Sequence, residues 1–245
     1  SLHDTWALDF PSLGIGDGTL QVKIADEEGK IPLNRLVGKN GVDVNKDLDQ
    51  RLRALIEQVG GKPEIVDALI DWLDVNDEAY GSAGAEQEAY SGKGYTVKNG
   101  PLDSVEELLL VKGFDKELLF DLKLSEYVTA APVPDDKINI NTAPPEVLRA
   151  VLGTKTASLA TPLNDGDIED MLRHRDEHEF KTINDLQQVI KISTTQMGSI
   201  APLVKTASSY FTVRSTYTVG KISRSVTALL KREGQTVTTI GWRES

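Results

Sequence analysis

The alternation of hydrophobic and polar residues changes twice along this chain and divides it into three parts. In the first part, apolar and polar side chains alternate over residues 20–24, as they do in a half-buried strand. The charged stretch 26–30 then predicts a polar turn, and residues 31–34 continue beyond it. This pattern predicts a β-hairpin, in which Pro32 requires an edge position or a bulge.

The second part begins near residue 47, where the hydrophobic period becomes that of a helix. Leu48, Leu52 and Leu55 share one face of a first helix, and Gly60-Gly61 ends it. A second helix is predicted over residues 63–73, with Pro63 in its first turn. A third helix is predicted after a cap at Ser104 or Asp103, where Ser104 and Glu107 have the spacing of a capping box. Further helices are predicted over 118–124, after a Thr142 cap, from Asp165, and after a cap at 182–185.

The third part returns to strand. Residues 210–219, 222–231 and 236–242 are rich in β-branched and aromatic residues, and glycines separate the runs. They predict a three-stranded antiparallel meander, whose sheet an N-terminal hairpin completes. We therefore predict an α+β fold with two domains. Residues 1–46 and 206–245 form a discontinuous sheet domain, and residues 47–205 form an all-helical insertion, which is tolerated because loop-closure cost grows slowly with length.

The amino-acid composition and net charge of the chain exclude some classes of function. The 245 residues are 39% apolar and 27% charged, as in globular domains, and the net charge of −11 disfavours a nucleic-acid partner. That charge suits a divalent cation or a basic partner, although solubility alone also accounts for it. Cysteine is absent, which excludes disulfides and thiolate chemistry. No run of 18 apolar residues and no signal peptide is visible, and the abrupt start suggests a missing export or anchoring segment.

The acidic, glycine-rich segment after the second helix is a candidate calcium site. Asp74 and Asn76 occupy positions 1 and 3 of a possible calcium loop, and Glu86 and Glu88 follow closely enough to complete six or seven oxygen ligands with backbone carbonyls. The glycine and glutamate that an EF-hand requires at positions 6 and 12 are both alanines here, so the loop is not an EF-hand. A solvated acidic loop is the alternative. Asp71 ranks below these four, because it is expected to face along the helix above Trp72.

Two other motifs suggest different functions. His174 to His178 matches the H-x-x-E-H pattern of inverted zinc peptidases, but its helix is polar nearly all round and no third ligand is assigned. We therefore favour a solvated helix surface over a zinc hydrolase. Residues 109–118 and 184–190 resemble helix-hairpin-helix units, which bind phosphate through backbone N–H groups. The second glycine is missing and carboxylates crowd the first unit, so helix packing is favoured, with a nucleic-acid binder kept as the alternative function. No G-x-S-x-G motif, phosphate loop or dinucleotide fingerprint is present, and we do not predict an enzyme.

The order of several segments resembles a known family. Residues 26–34, 71–76, 84–86, 101–114 and 138–148, followed by the β-rich end, are similar to general secretion pathway protein K, a minor pseudopilin of bacterial type II secretion systems. Pro32 and Gln87 depart from the family's usual polar and acidic residues at those positions.

This resemblance implies a pilin-like sheet with a large inserted helical domain. It implies a place at the tip of a periplasmic pseudopilus, in a complex with the minor pseudopilins I and J, where the protein helps to nucleate assembly and meets secreted substrate or the outer-membrane channel. It also implies an N-terminal hydrophobic helix, absent from this sequence, that anchors the full-length protein at the periplasmic face of the inner membrane. Calcium is implied in the helical domain, and residue by residue its ligands are expected to be Asp74, Asn76, Glu86 and Glu88.

Overall fold

The computed structural model describes residues 1–7 and 10–244, and its elements follow the three parts of the sequence pattern. The strands are β1 Leu13–Ile15, β2 Gly18–Asp26, β3 Ile31–Pro32, β4 Val128–Thr129, β5 Ile138–Asn139, β6 Val204–Lys205, β7 Tyr210–Val219, β8 Ile222–Glu233 and β9 Thr236–Glu244. The α-helices are α1 Lys46–Gln58, α2 Ile65–Leu73, α3 Leu124–Tyr127, α4 Pro145–Leu152, α5 Asp165–Glu177, α6 Leu186–Val189 and α7 Thr194–Ile200. Short 3₁₀ or π segments connect several of them.

One antiparallel sheet gathers both ends of the chain. Its strand order is β1-β2-β7-β8-β9, and every neighbouring pair is antiparallel. The pair β7–β8 runs from Tyr210 opposite Lys231 to Val219 opposite Ile222, and a bulge between Leu229 and Leu230 shifts the pairing with β9. The predicted meander and the predicted α+β fold are confirmed. The helices lie between β2 and β7 in sequence, as an insertion in this sheet.

The predicted N-terminal hairpin is wrong in its second strand. β2 forms its hairpin with β1, whereas Ile31–Pro32 leaves the sheet and pairs in parallel with Val128–Thr129. Asp26, Glu27 and Glu28 are buried, so the charged stretch is not a solvated turn. The prediction fails because these carboxylates find partners far along the chain, which local sequence does not reveal.

The buried carboxylate of Asp26, at the end of β2, has hydrogen-bond donors from distant parts of the chain. Its carboxylate accepts hydrogen bonds from Ser208 Oγ and Thr142 Oγ1, both at 2.6 Å, from Asn139 Nδ2 at 3.0 Å and from the Glu28 N–H at 2.9 Å. Burial raises the pKa of Asp26 despite these four donors. The end of β2 is therefore tied to the helical insertion and to the segment that enters β7.

The hydrophobic core lies mainly within the helical insertion. Leu48, Leu52 and Leu55 of α1 are each at most 1% exposed, as their spacing predicts, and every residue of α2 is buried. The Asn45 side chain caps α1 by accepting from the Leu48 N–H at 3.1 Å. None of the described helices combines the length and apolarity that crossing a membrane requires.

Two predicted caps are wrong, and a third is confirmed. Ser104 makes no side-chain cap, and the segment it precedes is the 3₁₀ helix Val105–Leu110, while the Glu107 carboxylate accepts from the Asp103 N–H at 2.9 Å. Thr142 does not cap α4, because its hydroxyl donates to Asp26 instead. The capping box between Thr182 and Asp185 is present. The helix predicted over 118–124 is a π segment, Glu117–Asp121, followed by α3.

Candidate metal centre

The acidic loop begins where α2 ends, and two successive turns shape its start. Asp74 lies just past the helix in an extended conformation and is 2% exposed. Its Oδ1 accepts from the Asn76 N–H at 3.3 Å, and Asn76 Oδ1 accepts from the Glu78 N–H at 2.7 Å. Aspartate and asparagine favour such turns because their side chains can accept from the backbone two residues ahead.

The loop then folds back onto α2 and is held there by two carboxylates one helical turn apart. Asp71 Oδ1 accepts one loop N–H at 2.7 Å and its Oδ2 accepts another. Asp67 Oδ2 accepts two more, each at 3.0 Å. The four donors are the backbone N–H groups of Tyr80, Ser82, Ala83 and Ala85. The loop backbone is therefore fixed against the helix by side chains rather than by secondary structure.

Glu86 lies at the end of this loop, in surroundings that disfavour its ionised carboxylate. Both carboxylate oxygens are buried and find no hydrogen-bond partner among the residues that the structure describes. Burial, followed by the charges of Asp71, Asp74 and Asp77, raises the pKa of Glu86 to about 7. A buried carboxylate without donors is costly unless it is protonated or bound by a cation.

Asp74 is perturbed for the same reasons. Burial and then the charge of Asp71 raise its pKa to about 6, and hydrogen bonds from Asn76 offset only part of this effect. Asp71 itself is fully buried, and burial raises its pKa as well. The loop thus gathers several carboxylates that raise one another's pKa values, and no positive charge is among the described groups that shift the pKa of Asp71, Asp74 or Glu86.

The structure brings three of the four predicted ligands into one neighbourhood. Asp74 and Glu86 interact electrostatically, and Asn76 contacts Asp74. Glu88 lies exposed on the 3₁₀ helix Gln87–Tyr90 and is not among the charges that raise the pKa of Glu86. Its role as a ligand stays a prediction.

Two further carboxylates belong to the cluster, although they are not among the four predicted ligands. Asp71 and Asp77 both raise the pKa values of Asp74 and Glu86. The contacts of Asp71 with the loop backbone join residues 9 and 14 positions apart, so its place in the pattern of α2 gives no sign of them. Within residues 1–7 and 10–244, no three acidic or histidine side chains already form a set that could hold a metal ion. The loop therefore presents a carboxylate cluster rather than a closed coordination shell.

The chemistry of this cluster suits calcium. Its donors are carboxylate and amide oxygens, which hard cations prefer, and calcium accepts six to eight of them in flexible geometry. An open cleft of about 610 Å³, lined by Asp74, Asn76 and Tyr80 among others, leads from solvent to the start of the loop. The unpartnered oxygens of Glu86 are the clearest sign that a cation fits here, because a divalent ion would supply the missing counter-charge.

The two motifs that pointed to other functions have different surroundings. The first lies at a largely exposed helix end, where His178 is exposed and His174 half-buried, as a solvated helix surface predicts. The rings of His174 and His178 are 5.7 Å apart, and His174 also contacts the ring of Phe180 at 4.8 Å. In the first helix-hairpin-helix-like unit, a Cβ on Gly113 would lie 2.7 Å from Ile65 Cγ2. That hairpin therefore packs directly against α2, as the interpretation as helix packing predicts.

Comparison with protein families shows which proteins this chain is similar to. Residues 29–133 match the first domain of type II secretion system protein K, and residues 138–207 match a second part of the same protein. The chain is 29% identical over 238 residues to type II secretion system protein K of Pseudomonas aeruginosa, covering 94% of this chain and 66% of that protein. It is 26% identical over 233 residues to the protein of the same name from Aeromonas hydrophila, covering 90% of this chain and 69% of that protein.

The fold has a match among solved structures. A chain in the crystal structure of the GspK–GspI–GspJ complex from the enterotoxigenic Escherichia coli type 2 secretion system superposes with a TM-score of 0.78. The match covers 100% of this chain and 86% of that one, at 21% sequence identity. The likeness establishes the same arrangement of sheet and inserted helices.

Proposed function

Because this chain belongs to the type II secretion system protein K family, we propose that it acts as a minor pseudopilin at the tip of a pseudopilus. The observation that carries this proposal is the match of two consecutive family segments, over residues 29–133 and 138–207, on a sheet with inserted helices. The chain spans about two thirds of the Pseudomonas relative, at 66%, so the role of the whole protein is inferred through the family.

We propose that its partners are the minor pseudopilins I and J. The support is the fold shared with a chain of the GspK–GspI–GspJ complex. In the full-length protein, an N-terminal hydrophobic helix would anchor the subunit at the periplasmic face of the inner membrane before assembly. Contact with secreted substrate or with the outer-membrane channel would follow from a position at the tip.

The mechanism is mechanical rather than catalytic. The insertion between β2 and β7 contains all seven α-helices of the described residues and most of the hydrophobic core. A subunit that carries so large a domain between two strands of its sheet suits the end of a filament, where no further subunit has to stack above it. Such a subunit would nucleate assembly and start the filament that moves protein across the outer membrane.

We further propose that calcium stabilises the helical domain at the acidic loop. Asp74, Asn76 and Glu86 would supply side-chain oxygens, with Asp71, Asp77 and Glu88 as the additional carboxylates nearby in sequence or space. When bound, the cation would neutralise carboxylates that repel one another and so stabilise the junction between α2 and the segment that follows it. The raised pKa values and the unpartnered Glu86 oxygens support this assignment.

A binding experiment tests the pseudopilin proposal. The purified chain is mixed with the periplasmic parts of I and J, separately and together, in calcium, and the masses are measured by analytical ultracentrifugation. We expect a complex containing one copy of each protein. A chain that binds neither partner at tens of micromolar would contradict the proposal.

Duplex DNA at about 50 mM salt is the matched probe for the nucleic-acid alternative, and salt-sensitive binding would favour that function instead.

A further inference from the structure

Asp67 lies behind the acidic loop and differs from the carboxylates of the metal cluster. It is 4% exposed, and both of its oxygens are occupied. Oδ1 pairs with Arg53 Nη2 at 2.5 Å, and Oδ2 accepts from the N–H groups of Ser82 and Ala83. Because both oxygens already have donors, Asp67 is poorly suited to bind a cation and well suited to hold the loop.

Arg53 fixes Asp67 from the opposite side. Its Nε pairs with Asp49 Oδ1 at 2.6 Å and its Nη1 donates to the Pro63 carbonyl oxygen at 3.1 Å, while Nη2 pairs with Asp67. The planar guanidinium therefore links α1, the connection before α2, and α2 itself. A fork of this kind positions its partners more rigidly than a single ammonium group does.

Glycine permits the close approach of the loop to these carboxylates. Gly81 has φ +63°, and a Cβ there would lie 2.3 Å from Asp67 Oδ2. A Cβ on Gly84 would lie 2.5 Å from Asp71 Oδ2. A side chain at either position would push the loop away from α2. Glycine is therefore needed at both positions for the two aspartates to accept hydrogen bonds from the loop backbone.

We propose that Asp67 and Arg53 are positioning residues for the calcium loop. They hold Ser82 and Ala83 on α2 before a cation arrives, so calcium affinity depends on two side chains that do not touch the ion. This inference rests on the calcium site of the proposed function. Its physical basis is preorganisation, because a loop that is already ordered loses less conformational entropy when it binds.

The first test is Asp67→Asn, with Asp47→Asn as a matched control. Asp47 lies on α1 beside an arginine, and it accepts the N–H groups of Ala157 and Ser158 at 3.1 Å each, in a different loop. By calorimetry, we expect Asp67→Asn to raise the calcium Kd at least about tenfold, which is about 1.4 kcal/mol. Asp47→Asn is expected to leave the Kd within about twofold. Equal Kd values for Asp67→Asn and wild type, with both folded by circular dichroism, would overturn the proposal.

The second test uses glycine, in case Asp67→Asn unfolds the protein. Gly81→Ala is compared with Gly92→Ala, because Gly92 also has positive φ (+82°) but no atom lies within 4 Å of the position that a Cβ would take there. Both variants introduce comparable backbone strain. Only Gly81→Ala is expected to raise the calcium Kd about tenfold, since only it displaces the loop from Asp67. If both variants raise the calcium Kd equally, backbone strain explains the weaker binding and the proposal is contradicted.

The third readout separates positioning from metal binding. Hydrogen exchange of the Ser82 and Ala83 amides is followed by NMR in EGTA, in wild type and in Arg53→Lys. We expect both amides to be protected in wild type and to exchange at least about tenfold faster in the variant. Rapid exchange of these two amides in calcium-free wild type would contradict the positioning role of Asp67 and Arg53, whether or not the protein binds calcium. Slow exchange in a protein that binds no calcium would contradict the calcium proposal and leave the anchoring by Asp67 and Arg53 standing.

Discussion

Glu86→Gln offers the sharpest test of the charge imbalance in the acidic loop. The substitution removes a negative charge and keeps the size of the side chain. In calcium-free protein at about pH 8 the carboxylate is ionised, although its folded surroundings favour the protonated form. We therefore expect Glu86→Gln to stabilise the calcium-free protein, which is unusual for a partly buried site.

The magnitude follows from the pKa. Burial and neighbouring charges raise the pKa of Glu86 from 4.5 to about 7. At about 1.36 kcal/mol per pKa unit this corresponds to about 3 kcal/mol. Because the residue is only half-buried, solvent screening reduces the expected gain to about 2 kcal/mol. For a chain of this size that is a rise in melting temperature of about 4–8 °C.

The pH dependence has a definite sign. Since the folded pKa of Glu86 lies above the unfolded value, the folded state binds its proton more tightly between about pH 4.5 and 7. The free energy of unfolding of calcium-free protein therefore falls as the pH rises through this window. Asp74, whose pKa is raised to about 6, adds a loss in the same direction. Glu86→Gln should flatten the upper part of the curve.

The assay is thermal and urea unfolding in EGTA from about pH 4.5 to 8, repeated with calcium. Glu57→Gln, at an exposed position on α1, is the control for loss of one charge elsewhere. With calcium at about 100 times its Kd, wild type should gain about 2.7 kcal/mol and Glu86→Gln much less. If Glu86→Gln is no more stable than Glu57→Gln in EGTA at the upper end of this pH range, the reasoning about the unpartnered carboxylate is refuted.

Two further predictions concern the sheet junction and the fourth proposed ligand. Asp26→Ala removes an acceptor that four donors share, so we expect a loss of about 2–4 kcal/mol in urea unfolding, and a loss below about 1 kcal/mol would contradict the structural role of this junction. Glu88→Gln should weaken calcium binding at least about fivefold if the exposed carboxylate closes over the ion. An unchanged calorimetric Kd would remove Glu88 from the ligand set, leaving Asp74, Asn76 and Glu86.

Local periodicity predicted the elements whose stability depends on neighbours in sequence. The apolar face of α1 and the alternation in β7 and β8 were both readable, because each element repeats its buried positions at a fixed spacing. The stretch from Asp26 to Glu28 was not. Its charges resemble a solvated turn, yet their partners lie more than 100 residues away, at Thr129, Asn139 and Lys205. Burial of a charge is decided by such distant partners, which periodicity does not contain.

The same limit explains which residues of the candidate metal site could be predicted from the sequence. Asp74, Asn76 and Glu86 stood out because oxygen-bearing side chains cluster within one short segment. Asp67 lies inside the regular pattern of α2 and looks like an ordinary polar position in a helix. Only the fold places the loop backbone against it, with the N–H groups of Ser82 and Ala83 at 3.0 Å.

The acidic residues of this region consequently fall into two groups that composition cannot separate. Asp67 and Asp71 have donors for both of their oxygens, so each is occupied in holding the loop backbone. Among the residues that the structure describes, Glu86 has no donor, and Asp74 has only the weak one from Asn76. The second group would therefore bind the cation, and the first group holds the loop backbone on α2. A metal site built in this way is lost by disturbing either group, because one group would bind the ion and the other fixes the loop that carries the ligands.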